Sequence, residues 1–446
     1  MTPKAVRDIG KIYRGLWESW LVVILEKSNV LVVADVGLPN VVLTGGVLRS
    51  TRSIKEYTKH FYVNLVIQPR YKFTSYELQL LKNDLGVQDV NPVEAKLKFL
   101  NDSRLAFTYI AIPPKVLRML LRIDKLKARP KAIVVLNEPS NFLSIGKLLK
   151  EEFNVPSLAM IQLPLFYSDK RRREAITNAF RLWFNELYRD SYVGKFVREL
   201  RTRLELLLAH SRLTNELLKS YDVLIAVSKA VFIEMGGKPL DRFYVMDPGV
   251  SLNEEDEKLM SKIKENLREK GNYMVFGGRV DALKGFVEAL YAFREISRRN
   301  SLLKLVITGY IGNRLRVRVE KFVRRLGLED RIVLTGNIPR AERFRIVANA
   351  NLMLYPSHVD SFPYSILESL YLGTPVVAYN IPALKLYYGG CSGVRLVKEG
   401  DIEALVAEAL NTISSKRVEV EPPKLRSWNE IMQEETNLIK RVMLKK

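Results

Sequence analysis

Tyr355 to Asn380 read YPSHVDSFPYSILESLYLGTPVVAYN. The apolar run that leads in, Asn351 to Tyr355 (NLMLY), predicts a buried strand emptying into a polar loop at Pro356-Ser357. Ile366, Leu367 and Leu370 then recur at helical spacing, with Ser361 as the expected N-cap and Pro363 in the first turn. Gly373 is placed to end that helix as its C′ residue, Pro375 forbids continuation, and Val376-Val377-Ala378 reads as the next strand. Two carboxylates lie in this unit, Asp360 before the helix and Glu368 inside it. An acid beside a positive helix end, with a second acid along the same cleft, suits a phosphate-bearing ligand.

The same strand–turn–helix pattern recurs on both sides. YMVFGGRVDALKGF at Tyr273 to Phe286 is a strand, a glycine turn at Gly277-Gly278, then Arg279, Lys284 and a helix from Val287 to Ile296. Leu303 to Thr308 and Ile332 to Gly336 are two further strands, ending at Gly309 and Gly336. Earlier, Asn29 to Ala34, Tyr62 to Gln68, Ala132 to Leu136, Leu158 to Ile161 and Asp222 to Ser228 read as buried strands separated by helices. This alternation predicts an α/β protein of two doubly wound, Rossmann-like domains with the ligand in the crevice at the strands' carboxyl ends. The expected boundaries are an amphipathic helix at 1–27, a first domain at 28–250, a second at 251–425 and a crossover helix at 426–446.

A chain of 446 residues, 47% hydrophobic and 27% charged, is globular and too long for one core. One cysteine excludes a disulfide framework and a thiolate metal cluster, and suits the reducing cytosol. Three histidines, His60, His210 and His358, are too few and scattered to predict a metal site. No signal-peptide pattern begins the chain, and no apolar run reaches the roughly 18 residues needed to span a bilayer. The net charge of +22 implies an anionic partner: phospholipid, nucleic acid or a phosphorylated substrate. No nucleic-acid-binding motif accompanies the charge, which argues against the second.

Two segments bear on a membrane surface. In residues 4–25, Val6, Ile9, Tyr13, Leu16, Trp17, Trp20 and Ile24 share one helical face opposite Lys4, Arg7, Lys11 and Arg14. Lys170 to Lys219 opens with Lys170-Arg171-Arg172-Arg173 and carries twelve Lys or Arg against six acids, with Phe180, Trp183, Phe184 and Tyr188 between. Both suit an anionic membrane interface; both also read as ordinary helices with a core stripe and a solvated basic face.

The stretch from Asp360 to Glu368, followed by GTPVVA at Gly373 to Ala378, resembles the acidic signature of the family-4 retaining glycosyltransferases of GT-B fold. The resemblance extends over roughly residues 30 to 440. It implies transfer of a hexose-type sugar from a nucleotide diphosphate to an acceptor hydroxyl, with retention, without metal or other cofactor. By resemblance, Arg279 and Lys284 neutralise the diphosphate, Asp360 positions the donor sugar and Glu368 hydrogen-bonds the ribose. The leaving phosphate accepts the acceptor's proton. Gly45-Gly46-Val47 stands where the family's phosphate-approaching turn belongs, and Gly278, Gly309, Gly336, Asn337 and Ile338 where backbone holds the nucleotide. Gln162 stands about where the family carries a sugar-contacting His, and Ser361-Phe362-Pro363, with Tyr364, replaces a Gly-Phe-Gly loop. Pro363 donates no N–H, which removes one backbone contact.

Three readings stay open on the sequence. One is a cytoplasmic, peripheral membrane enzyme acting on a lipid-linked or membrane-associated glycan acceptor. Another is a soluble transferase on a sugar or polysaccharide, and the third a non-catalytic GT-B partner subunit. The nucleotide base, the sugar, the linkage and the oligomeric state are not readable from these residues.

Overall fold

The protein is described from a computed structural model, which covers residues 28–38, 45–68, 73–121, 126, 129–237, 243–250, 252, 254–267, 269–415 and 418–444. The amphipathic segment expected at 1–27 lies outside these residues.

Fifteen strands occur among the described residues. The first domain holds β1 (Asn29–Val33), β2 (Tyr62–Ile67), β3 (Asp89–Pro92), β4 (Ala132–Val135), β5 (Ser157–Ile161), β6 (Val223–Ala226) and β7 (Phe243–Val245). They form one parallel sheet in the order β3-β2-β1-β4-β5-β6-β7. After β8 (Gly249–Val250), the second domain holds β9 (Tyr273–Phe276), β10 (Lys304–Thr308), β11 (Ile332–Gly336), β12 (Leu352–Tyr355), β13 (Val376–Tyr379) and β14 (Val394–Val397). Their order is β11-β10-β9-β12-β13-β14, again parallel. β15 (Arg426–Ser427) pairs with β8 apart from both sheets. Six helices matter below: α1 (Gly45–His60), α2 (Lys170–Leu187), α3 (Tyr192–Ala209), α4 (Arg340–Asn349), α5 (Tyr364–Tyr371) and α6 (Trp428–Met443).

The continuous apolar runs read from the sequence are these strands. β4, β5, β12 and β13 are buried along their whole length, as a parallel sheet covered by helices on both faces requires. In β1, Val30 and Val32 point to one core of the first domain and Leu31 and Val33 to the other, on opposite faces of the pleat. In each sheet the winding reverses between the first strand and its fourth, at β1/β4 and at β9/β12. A doubly wound sheet opens its crevice there.

α5 departs from expectation at its start. It begins at Tyr364, with Pro363 rather than Ser361 at the N-cap position and no side-chain cap. Pro363 has ψ 103°, extended backbone, so the helix begins two residues later than expected. The other end agrees: Gly373 has φ +73° just past the helix. The glycine pair Gly45-Gly46 is likewise not a free turn but the first turn of α1.

The basic, aromatic segment is also placed differently. Trp183, Phe184, Leu187 and Tyr188 on and after α2 are buried in the second domain's core, with Trp183 edge-on to Phe286 at 6.3 Å. These aromatics therefore join the domains and offer no face to a membrane. Among the described residues no helix is long and apolar enough to cross a membrane.

α6 returns to the first domain, as expected. Ser427 and Glu430 form a reciprocal capping box at its start. Its Ile431, Met432, Leu438, Ile439 and Val442 complete one core of the first domain. Buried Glu435 takes a hydrogen-bonded ion pair from Arg49 Nη2 at 2.5 Å and a hydrogen bond from the Tyr57 hydroxyl. The Arg49 guanidinium lies 5.0 Å above the Trp428 ring. Removing one member leaves the other charge buried alone. Glu435→Ala is expected to lower the unfolding free energy by roughly 3–5 kcal/mol in urea titration. Exposed Glu403→Ala should change it by less than about 0.5 kcal/mol.

Candidate active site

Four strand ends supply the crevice. Gly277-Gly278-Arg279 follows β9, Pro356 to Asp360 follows β12, and Asp35 and Asn137-Glu138 follow β1 and β4.

Lys284 closes a short 3₁₀ turn, Ala282–Lys284, whose N-cap Asp281 accepts the Lys284 N–H at 3.0 Å. Gly285 follows with φ +64°, and a Cβ there would stand 1.9 Å from the Pro356 carbonyl oxygen. Only glycine lets the loop after β9 touch the loop after β12. That contact places Lys284 Nζ 2.7 Å from Asp360 Oδ2 and 2.9 Å from the Val359 carbonyl. The same Asp360 oxygen accepts from the Tyr355 hydroxyl at 2.6 Å and from Ser357 Oγ at 3.0 Å. Burial, then the Asp360 charge, pushes the Tyr355 phenol well up, so it stays a donor. Gly278 sits against the Lys284 side chain. Arg279 is exposed, 3.5 Å from Asp281, with its guanidinium toward solvent.

Glu368 is buried on α5 and already engaged. Arg343 of α4 forks onto both its oxygens at 2.7 and 2.9 Å, and Arg340 lies 3.6 Å away. Gly309 donates its N–H to the Gly336 carbonyl at 3.0 Å, joining the ends of β10 and β11. Beyond them Asn337 is exposed and Ile338 half-buried.

On the facing wall, Gln162 spends its amide inside its own domain. Its Nε2 donates to Ser50 Oγ at 3.0 Å and to the Leu136 carbonyl at 2.5 Å, and its Oε1 lies against Gly46. Its N–H donates to Glu138 Oε2 at 3.1 Å. Burial pushes the Glu138 carboxyl up to about 7, against backbone hydrogen bonds that favour its charge. Tyr364, at the start of α5, approaches Gly45 at the start of α1, so the two helix starts meet across the crevice. Phe362 is buried, stacked on Tyr388 with ring centres 5.4 Å apart. Pro363 accepts the Tyr388 hydroxyl at 3.0 Å, and Ser361 is half-buried.

A buried charge cluster joins the domains behind Asp360. Arg172 of α2 forks onto Glu234 of its own domain, pairs with Glu399 of the other, and donates to the His358 carbonyl at 2.5 Å. The His358 ring bridges Glu399 at 2.8 Å and Glu288 at 3.0 Å. Burial opposes charge on the ring, but the two carboxylates outweigh it and raise its pKa to about 9.

Residues 258–430 match the profile of the glycosyl transferases group 1 family. The matched segment is less than half of the chain and falls almost wholly in the second domain. The D-inositol 3-phosphate glycosyltransferase of Paenarthrobacter aurescens (strain TC1) is 30% identical over 154 residues, 33% of this chain and 37% of that one. The match thus spans just over a third of that relative's length. Sucrose-phosphate synthase of Thermosynechococcus elongatus shares the fold with a TM-score of 0.61 at 15% identity, over 94% of this chain and 100% of that chain. The Anabaena protein Alr3699/HepE, in complex with UDP and glucose, does so with a TM-score of 0.51 at 17% identity, over 87% and 90%. The fold is GT-B, two Rossmann-like domains across a cleft.

Within this GT-B fold the structure brings Lys284 to Asp360, Gly46 to Gln162, Gly309 to Gly336 and Tyr364 to Gly45. Arg279 and Glu368 stand apart from the Lys284–Asp360 pair in their contacts. Four residues of the cleft and its support carried no singled-out signal in the sequence: Glu138, Arg172, Arg343 and His358. Glu138 could have been found, because NEPSN directly follows a buried strand; Arg172 was hidden in a run of four cations.

Gly285→Ala is expected to destabilise by about 2 kcal/mol or more, measured by thermal unfolding, since backbone and neighbour both resist a Cβ. His358 has a folded pKa above its unfolded value near 6.5, so its contribution is complete below pH 6.5 and disappears as pH rises through about 9. The shift corresponds to an order of 3 kcal/mol. The stability gap between the wild type and His358→Gln should therefore shrink between pH 7 and about 10 in a series of melts.

Proposed function

We propose that the protein transfers a sugar from a nucleoside-diphosphate donor to an acceptor hydroxyl with retention of configuration. The observation that carries this reading is Lys284, a half-buried ammonium held by Asp360 at the switch point of the second sheet. A diphosphate seated there would meet Lys284, the mobile Arg279 fork and the turn at Gly277-Gly278. As the bond from the sugar's anomeric carbon to the phosphate oxygen breaks, the electron pair goes to that oxygen. These two cations, Lys284 and Arg279, would stabilise the growing charge without a metal. The acceptor oxygen then bonds to the anomeric carbon from the same face, and its proton passes to the leaving phosphate. Asp360, fastened by Tyr355 and Ser357, would hold the donor sugar's hydroxyls.

The family of the second domain and the UDP and glucose in the Anabaena neighbour support a nucleotide sugar as donor. The acceptor we favour is lipid-linked or membrane-associated, met by the enzyme from the cytoplasmic side. The +22 charge supports an anionic acceptor or surface. One observation bears on a non-catalytic subunit instead: Arg343 already forks onto the Glu368 carboxylate, so a ribose hydroxyl would have to share an oxygen with it.

Melting in UDP, GDP, ADP and their sugar conjugates, without added metal, tests the reading. At a hundred times the dissociation constant, the matching nucleotide should add about 2.7 kcal/mol, and Lys284→Ala should abolish the shift. No shift with any nucleotide would sink the donor site. A shift without sugar release or transfer would move the assignment to the binding subunit.

A further inference from the structure

α3 is folded inside out for a helix on a soluble protein. Tyr192, Val193, Phe196, Val197, Leu200 and Leu207 are all exposed, Tyr192 by 84% and Leu207 by 68%. At 100° per residue they occupy one continuous stripe, extended by exposed Leu204, while the opposite side carries buried Thr202. Single exposed apolar residues are common, but a contiguous stripe along a five-turn helix marks a docking surface.

The charge around the stripe identifies what docks. Arg203 is exposed and lies seven residues beyond Phe196, on the same face. The helix's acids, Glu199 and Glu205, fall outside the stripe on either side. His210, just past α3, hydrogen-bonds the Tyr167 carbonyl at 3.1 Å, so the Leu207 end lies beside the start of α2. Exposed Lys170 and Arg171 stand at that start. An apolar face with cations inside and beside it, on a chain of net charge +22, complements an anionic lipid surface. A second copy would bring the same cations against each other.

The stripe is also close to the crevice. Tyr167 packs with Val359, the residue before Asp360, in one small apolar cluster. Its phenol lies within electrostatic reach of Glu138 on one wall and Asp360 on the other.

We propose that the outer face of α3 docks on an anionic phospholipid bilayer and brings the crevice to a membrane-borne acceptor. Docking itself stands without the transferase reading; the delivery of acceptor rests on it.

Co-sedimentation of the full chain with phosphatidylcholine vesicles, with and without phosphatidylglycerol, is the test. The wild type should partition to the anionic vesicles, and the double substitution F196E/L200E should weaken that by about tenfold or more. Both side chains are exposed, so the variant should keep its melting temperature, and the nucleotide-dependent shift should be the same in both proteins. Binding left unchanged by F196E/L200E, equal binding to neutral vesicles, or no binding at all would overturn the proposal. A dimer in light scattering that the variant dissolves, without vesicle binding, would overturn it in favour of a second copy on this face. Vesicle binding without any nucleotide shift would keep the docking surface and remove the transferase reading; the reverse would do the opposite.

Discussion

A guanidinium cannot be left unpaired away from water, and Arg172 sits at the junction of two domains with one partner on each. This constraint orders much of what surrounds the crevice. Its fork on Glu234 belongs to the first domain; its bond to Glu399 and to the His358 carbonyl belongs to the second. Separating the domains would expose Arg172 to water but strip Glu399 and His358 of part of their compensation. The loop from Pro356 to Asp360 is thus held from behind by a charge that comes from the other domain, while Lys284 holds it from the front. Asp360 owes its position to both.

The acids of the signature have become two separate pairs. Asp360 is paired with Lys284, and Glu368 with Arg343. Each pair is intramolecular and built on adjacent strand–helix units, so both carboxylates are compensated within the chain itself. On the proposed reading a diphosphate there would compete with Asp360 for Lys284, while Arg279, exposed and only loosely paired, could swing to it. One cation is therefore set by packing and the other is adjustable, a division that matches the rigidity of Lys284's turn and the exposure of Arg279.

Much of the fold was legible because parallel strands buried on both faces leave unbroken apolar runs, and three of those in the second domain, β9, β10 and β11, end at or just before glycine. NLMLY, YMVFGG and IVLTG each state a strand and its exit in a few residues. Two things were not legible. The aromatics of α2 look the same whether they face lipid or another domain; period and composition report that a face is apolar, never what covers it. Arg172 looks like its three neighbours because its partners lie far along the chain. At the candidate site, Lys284 and Asp360 were singled out by the resemblance and by their places after a glycine turn and before a helix. Glu368's fork with Arg343 was not, since it depends on the packing of α4 against α5. The start of α5 was misread for a smaller reason: Pro363 is as acceptable just before a helix as just inside one.

The two connections between the domains meet at one place: Gly249–Val250, at the end of the first domain, and Arg426–Ser427, just before α6, pair as parallel strands. A Cβ on Gly249 would stand 2.8 Å from Ile431 at the base of α6, so the ribbon is packed closely against that helix. Both connections between the domains are thus fastened together, which makes this ribbon the natural spine about which the two walls of the crevice would turn.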